Sequence, residues 1–205
     1  MKRFFVTGIG TDVGKTVASA ILVETLKADY WKPIQAGDLD NPDTMKVRSL
    51  VSNTKSVFHP ETYCLSTPLS PHAAAEIDKI KIDIRKIILP KTSNTLIIEG
   101  AGGVMVPLNN KFLVIDLIEK LKAEVIIVSR NYLGSINHTL LTIEALGSRN
   151  IPIAGIIFNG KPAKTSEEYI LKYTGLKCLL SIHKEKKVDK KIILKYKKFA
   201  SQISW

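Results

Sequence analysis

The sequence is poor in cysteine, in acidic residues and in long apolar runs. Its 205 residues include two cysteines, Cys64 and Cys178, with no Cys-x-x-Cys pair and no Cys/His spacing suited to a metal. That argues against a disulfide framework and against a zinc site, and the thiols read as buried or incidental ones in a reducing cytoplasm. No apolar run approaches the roughly 20 residues of a membrane helix. The N-terminus offers Lys2 and Arg3 and then only Phe4, Phe5 and Val6, too short for the core of a secretion signal. The expected setting is therefore cytoplasmic, with no membrane partner. Linkers, internal repeats and low-complexity segments are lacking as well. A chain of this length with 45% hydrophobic residues is expected to form a single domain over 1–205.

Acid is scarce enough to leave a net charge of +11. Such a balance invites a nucleic-acid reading. Much of the excess lies in one tail, at Lys184, Lys186, Lys187, Lys190, Lys191, Lys195, Lys197 and Lys198, interleaved with Ile192, Ile193, Leu194, Tyr196 and Phe199. This is the pattern of an amphipathic helix with a lysine-rich solvent face. The tail has almost no arginine, the residue that usually makes bidentate phosphate or base contacts. The expectation is a solvated face and no nucleic-acid partner.

What is abundant is an alternation of apolar runs and helical patterns. "RFFVTG" reads as a buried strand feeding a glycine loop, and "GKTVASAILVETLKA" as a helix with Val17, Ile21, Leu22 and Leu26 on one apolar face. "YWKPIQ" reads as a second strand, weakened by Pro33. A helix is expected within 38–53 through Met45, Val47 and Leu50, then an irregular stretch over about 54–92. "NTLIIEGAGG" is a strand and glycine turn, "FLVIDLIEKLKA" a helix, "EVIIVSR" a strand, "GSINHTLLTIEALGSRN" a helix and "IPIAGIIFNG" a strand. "CLLSI" is a short strand, and 189–201 a helix. The strands are continuous apolar runs, as expected when helices bury both faces of a parallel sheet. The expected fold class is a doubly wound, mostly parallel α/β sheet with helices on both faces, and a glycine loop running from the first strand into Gly14-Lys15-Thr16 at a helix start makes it the P-loop NTPase type.

In such sheets ligands bind beyond the carboxyl ends of the strands. The first of these ends opens "GIGTDVGKT", Gly8 to Thr16. The usual phosphate loop has four residues between its first glycine and Gly-Lys-Ser/Thr. Here there are five, counted from Gly8. Free N–H groups at a helix start bind anions, Gly14 permits close approach, Lys15 can reach the terminal phosphates and the Thr16 hydroxyl can ligate Mg²⁺. Glu99 ends a buried strand, where an unpartnered carboxylate is costly. It is a metal-ligand candidate, the alternative being a carboxylate held only by the amides of the glycine turn. Asp43 is a second candidate, with Asp38 and Asp40 competing and helix capping as the alternative. Lys32 ends a strand at the same crevice. A second lysine beside Lys15 suits stabilisation of charge on a transferring phosphoryl group; the alternative is a surface lysine.

"GIGTDVGKTVAS", "WKPIQAG", "NPDT", "LSPHAAAE", "IIEGAGGVMVPL" and "LGSINHTLLTIEAL" occur in this order between about residues 3 and 160. Together they resemble the dethiobiotin synthetases, ATP-dependent cyclo-ligases of biotin biosynthesis, whose phosphate loop has the same extra residue. The resemblance implies that 7,8-diaminononanoate and CO₂ are joined with ATP through a carbamate and a carbamic–phosphoric anhydride. It implies ATP contacts from Asp12, Val13, Gly14, Lys15, Thr16 and Val17, from Glu99, Gly100, Ala101 and Gly102, and from Asn159 on the adenine. Lys15 and Lys32 would act on the phosphates and carbamate, and Thr16, Asp43 and Glu99 would surround Mg²⁺. The "EGAG" turn would face the diamine. It also implies a homodimer in which Gly134, Ser135 and Asn137 of one subunit meet the substrate carboxylate in the other.

Two departures stand out. Ala36 replaces the family's frequent Ser or Thr beside the glycine, removing a hydroxyl near the reacting nitrogen. Ile182-His183 replaces an Ile-Pro pair in the late loop near the nucleotide base. His183 reads as a loop histidine or, less simply, a base; His72 as a pocket residue or a helix-start residue. Competing functions are another ring- or amide-forming ligase of the same branch, and a regulatory P-loop ATPase of the partitioning or metal-delivery type. The latter commonly carries a second lysine early in the phosphate loop, and "GIGTDV" has none.

Overall fold

The computed structural model describes residues 2–202. The first third holds β1 (Arg3–Gly8), α1 (Lys15–Leu26), β2 (Asp29–Trp31), β3 (Ile34–Ala36), α2 (Asp43–Leu50), β4 (Phe58–His59) and β5 (Tyr63–Leu65). Then follow α3 (Pro71–Ile77), β6 (Leu96–Glu99), α4 (Val114–Leu121), β7 (Glu124–Arg130) and α5 (Ser135–Gly147). The chain continues through β8 (Ile153–Gly160), α6 (Lys164–Thr174), β9 (Cys178–His183) and α7 (Lys190–Ala200).

Seven strands form one sheet in the order β4-β2-β6-β1-β7-β8-β9, with every pair parallel. Because successive side chains leave a strand on opposite faces, β1 splits its apolar residues between two cores. Phe5 joins Ile98, Ile127 and residues of α3 and α4 on one face. Phe4 and Val6 join Ile97, Ile126 and residues of α1, α2 and α7 on the other. Burial on both faces is the physical reason the strands read as unbroken apolar runs.

Three expectations change. "YWKPIQ" is not one strand. Pro33 has no N–H to donate, and the segment breaks there: β2 stays in the large sheet while β3 pairs with β5 in a separate two-stranded sheet. Helix α1 is not buried on one face only, since Ala18 to Glu24 are all buried between the sheet, α2 and α7. Both cysteines are exposed. In addition, α6 fills a stretch to which no element had been assigned. Its sequence is polar, and Ile170 alone is fully buried, so it carries little apolar periodicity. Among the described residues no helix is long and apolar enough to cross a membrane.

Candidate active site

The carboxyl ends of β1, β2 and β6 bring the phosphate loop, Lys32 and Glu99 together. The loop leaves β1 at Gly8 and returns to helix at Lys15. Gly14, with φ 98°, caps α1 in the left-handed region and offers no side chain to the first free N–H groups. Asn159, at the end of β8, packs against Gly14 and its Nδ2 donates to Val13 O at 2.7 Å. A cavity of about 790 Å³ opens beside the loop, lined by Thr11, Asp12, Gly14 to Val17, Lys32, Ala36, Asp43, Glu99, Ala101 and Gly102, among others.

Register explains the charged cluster within it. Tyr30 lies beside Ile97 and Trp31 beside Ile98 in the β2–β6 pairing. One step further along each chain come Lys32 and Glu99, which the period of two places on the same face as Tyr30 and Ile97, towards α1. There Lys32 Nζ sits 2.7 Å from Asp43 Oδ2 and 3.2 Å from Glu99 Oε1. Thr16 Oγ1 donates to Glu99 Oε1 at 3.0 Å, and Tyr30 Oη donates to Glu99 Oε2 at 3.0 Å. Glu99 is 1% exposed and Lys32 4%, so both charges depend on these partners.

The two lysines differ electrostatically. Burial alone would depress the pKa of Lys32, but Glu99 and Asp43 outweigh it and leave the ammonium more firmly protonated than usual. Lys15 is held below its ordinary value, first by burial and then by the nearby Lys32 charge, with Glu99 and Asp43 opposing. Its Nζ donates to Gly10 O at 3.2 Å. The depressed lysine is thus the one on the phosphate loop, and an arriving anion would raise its pKa again. Asp43 is held low, its burial outweighed by Lys32 and Lys46.

Glu99 is therefore held by side chains of Thr16, Tyr30 and Lys32, not by the glycine turn. The sequence had offered Tyr30 no role, and only strand register reveals it. Gln35 was missed too: its Oε1 accepts from Asp43 N at 3.2 Å and its Nε2 donates to Gly37 O at 2.9 Å. It serves the start of α2, where Pro42 supplies no side-chain cap. Lys32 is no surface lysine, and Asp43 pairs with it while also starting a helix. His72 is at a helix start, with Nδ1 3.0 Å from Ser70 Oγ, and does not line the cavity.

The remaining site residues fall elsewhere. Val13, within the loop, is buried, and Gly100 packs against Phe5, outside the lining of the large cavity. Asn159, Ile182 and His183 line a smaller hollow of about 70 Å³ with Asn131 and Glu167. Gly134, Ser135 and Asn137 begin α5 outside the large cavity of their own chain. Beside them Leu133 is fully exposed and Leu141 58% exposed.

Among the described residues no three His, Cys, Asp or Glu side chains cluster as a metal cage. The oxygen set of Thr16, Asp43 and Glu99 nevertheless suits Mg²⁺, which uses one or two carboxylates with phosphates and water. A Thr16 hydroxyl that donates its proton to Glu99 leaves its lone pairs free for a cation.

A family model described as an AAA domain matches residues 2–191. The chain is 57% identical over 195 residues to the ATP-dependent dethiobiotin synthetase BioD of Christiangramia forsetii, covering 95% of this chain and 94% of the relative. It is 52% identical over 197 residues to that of Cytophaga hutchinsonii, covering 96% and 95%. Among solved structures, a ParA family ATPase from Chlorobium tepidum superposes with a TM-score of 0.58 at 14% identity, over 98% of this chain and 95% of that one. At that identity the likeness shows the fold alone.

Proposed function

The chain belongs to the dethiobiotin synthetases, ATP-dependent ligases of biotin biosynthesis, and from that premise we propose how its residues divide the work. The carrying observation is the buried cluster of Lys32, Asp43, Glu99 and Thr16 at the mouth of the phosphate loop. One amine of 7,8-diaminononanoate adds to CO₂ and loses a proton, giving a carbamate. A carbamate oxygen attacks the γ-phosphorus of ATP and ADP leaves. The second amine attacks the carbonyl carbon of the resulting anhydride, phosphate leaves, a proton is lost and the ureido ring closes.

Lys15 and the amides from Asp12 to Val17 bind the phosphates; the open helix start supports this. Lys32 faces the carbamate and the transferring phosphoryl group, and its firmly held proton keeps it cationic as negative charge develops. Thr16, Asp43 and Glu99 would hold Mg²⁺, which when bound would supply charge neutralisation for the triphosphate. Ala101 and Gly102 shape the diamine side, with Gly100 packed behind them, and there Ala36 leaves room and no hydroxyl. Asn159, with Ile182 and His183, receives the base. Their shared hollow supports that assignment.

We further propose a single domain acting as a homodimer in the cytoplasm, where ATP is available, with no nucleic-acid or membrane partner. Exposed apolar residues flanking the start of α5 support a subunit contact there. It would bring Gly134, Ser135 and Asn137 to the substrate carboxylate of the other subunit. The test is purified protein with ATP, Mg²⁺, bicarbonate and the diamine, followed by mass detection of dethiobiotin. Phosphate release without that product would favour the regulatory ATPase reading.

A further inference from the structure

Every other side-chain partner of Glu99 lines the cavity, but Tyr30 approaches from inside the protein. Its side chain is 0% exposed and belongs to the apolar core between the sheet and α1. Phe58 packs against its ring at 6.0 Å between centroids. The two oxygens of Glu99 are thereby served from opposite sides. Oε2 takes the Tyr30 hydroxyl at 3.0 Å. Oε1 takes Thr16 and Lys32, both of which line the cavity.

A glutamate side chain has three rotatable bonds, so the end of β6 alone does not determine which oxygen turns towards a bound ion. A phenol fixed by close packing does. We propose that Tyr30 is a positioning residue, whose hydroxyl anchors Glu99 Oε2 so that Oε1 is the oxygen presented to the Mg²⁺–nucleotide site. The inference rests on the proposed role of Glu99 at the metal. Groups that orient a ligating carboxylate typically govern metal affinity by about 10–100-fold.

The experiment is Mg²⁺ titration of nucleotide binding, read by calorimetry with ADP, for wild type, Tyr30→Phe, Glu99→Gln and the double variant. Phenylalanine keeps the buried ring and removes only the hydroxyl. Tyr30→Phe should raise the Mg²⁺ concentration at half-saturation about tenfold, leaving metal-free ADP binding within about twofold of wild type. The double variant should resemble Glu99→Gln, because a residue acting through another adds nothing once that other is lost. If Tyr30→Phe titrates like wild type while Glu99→Gln is shifted, Tyr30 is only core packing and the inference falls. So it does if the two effects multiply in the double variant. An unshifted Glu99→Gln would overturn the reading of Glu99 itself and the inference with it.

Discussion

Glu24 and Glu99 are both buried carboxylates paired with a lysine, 2% and 1% exposed respectively, yet their surroundings differ in kind. Glu24, near the end of α1, accepts from Ser52 N at 2.7 Å, Asn53 N at 3.0 Å and Lys197 Nζ at 2.9 Å. Those partners are two backbone amides just after α2 and one side chain of α7, none of them lining the large cavity. Glu99 is held mainly by groups that do line it. One carboxylate ties α1 to α7 and to the segment after α2; the other belongs to the charged cluster at the cavity for which we propose a catalytic role. Burial and an ion pair are common to both, and it is the surroundings of their partners that differ.

The largest expected effect sharpens the functional side of that contrast. Lys32→Ala should lower kcat by about 10²–10³-fold, the usual result of removing a charge that stabilises a transition state, with ATP binding less affected than in Lys15→Ala. An unchanged kcat would remove Lys32 from the chemistry. On the structural side, Glu24→Ala strands two amides and an ammonium, and should cost roughly 2–3 kcal/mol of stability. Chemical denaturation measures this, and a loss below about 0.5 kcal/mol would mean that the clamp is ornamental.

Acid offers a finer separation. Burial alone would raise the pKa of Glu24, but Lys197 and the Ser52 and Asn53 amides outweigh it and set it below the ordinary glutamate value. With the folded pKa depressed, this contribution is fully present above the unfolded value and is lost as pH falls through the folded one. Glu24→Gln should therefore lose less stability than wild type as pH falls from about 5 through the depressed folded value of Glu24. Parallel denaturation curves in that range would contradict the assignment.

The smallest effects concern the basic tail. The helical pattern was read from sequence as a solvated lysine face; α7 buries Ile193 and Tyr196 of that pattern, together with Ala200, while Leu194 and Phe199 stay exposed. Lys197, however, is the partner of Glu24, 173 positions away in sequence, which no local pattern reveals. Replacing Lys190, Lys191 and Lys198 with Gln should change stability by no more than about 0.5 kcal/mol, while Lys197→Gln alone should cost about 1 kcal/mol. Equal effects would erase the distinction.

The same division explains what the sequence made legible. Runs such as "LIIE" and "VIIV" announced buried parallel strands because a two-sided core demands them. Lys15, Thr16 and Glu99 were visible because strand ends and a helix start place them. Tyr30, Gln35 and the Glu24–Lys197 pair were not, since each depends on register or on packing between distant segments. α6 escaped because a mostly exposed helix needs few apolar residues.

The contrast is tested most directly by dethiobiotin formation in Glu99→Gln and Glu24→Gln enzymes, assayed side by side across a range of Mg²⁺ concentrations. Both substitutions remove one buried negative charge and keep the shape of the side chain. Glu24→Gln should turn over within about twofold of wild type. Glu99→Gln should fall by about 100-fold, the equivalent of roughly 2.7 kcal/mol in the barrier, with a shifted Mg²⁺ requirement. Equal losses in the two variants, or a Glu99→Gln enzyme with wild-type turnover and metal dependence, would mean that Glu99 has no role in the chemistry beyond that of Glu24.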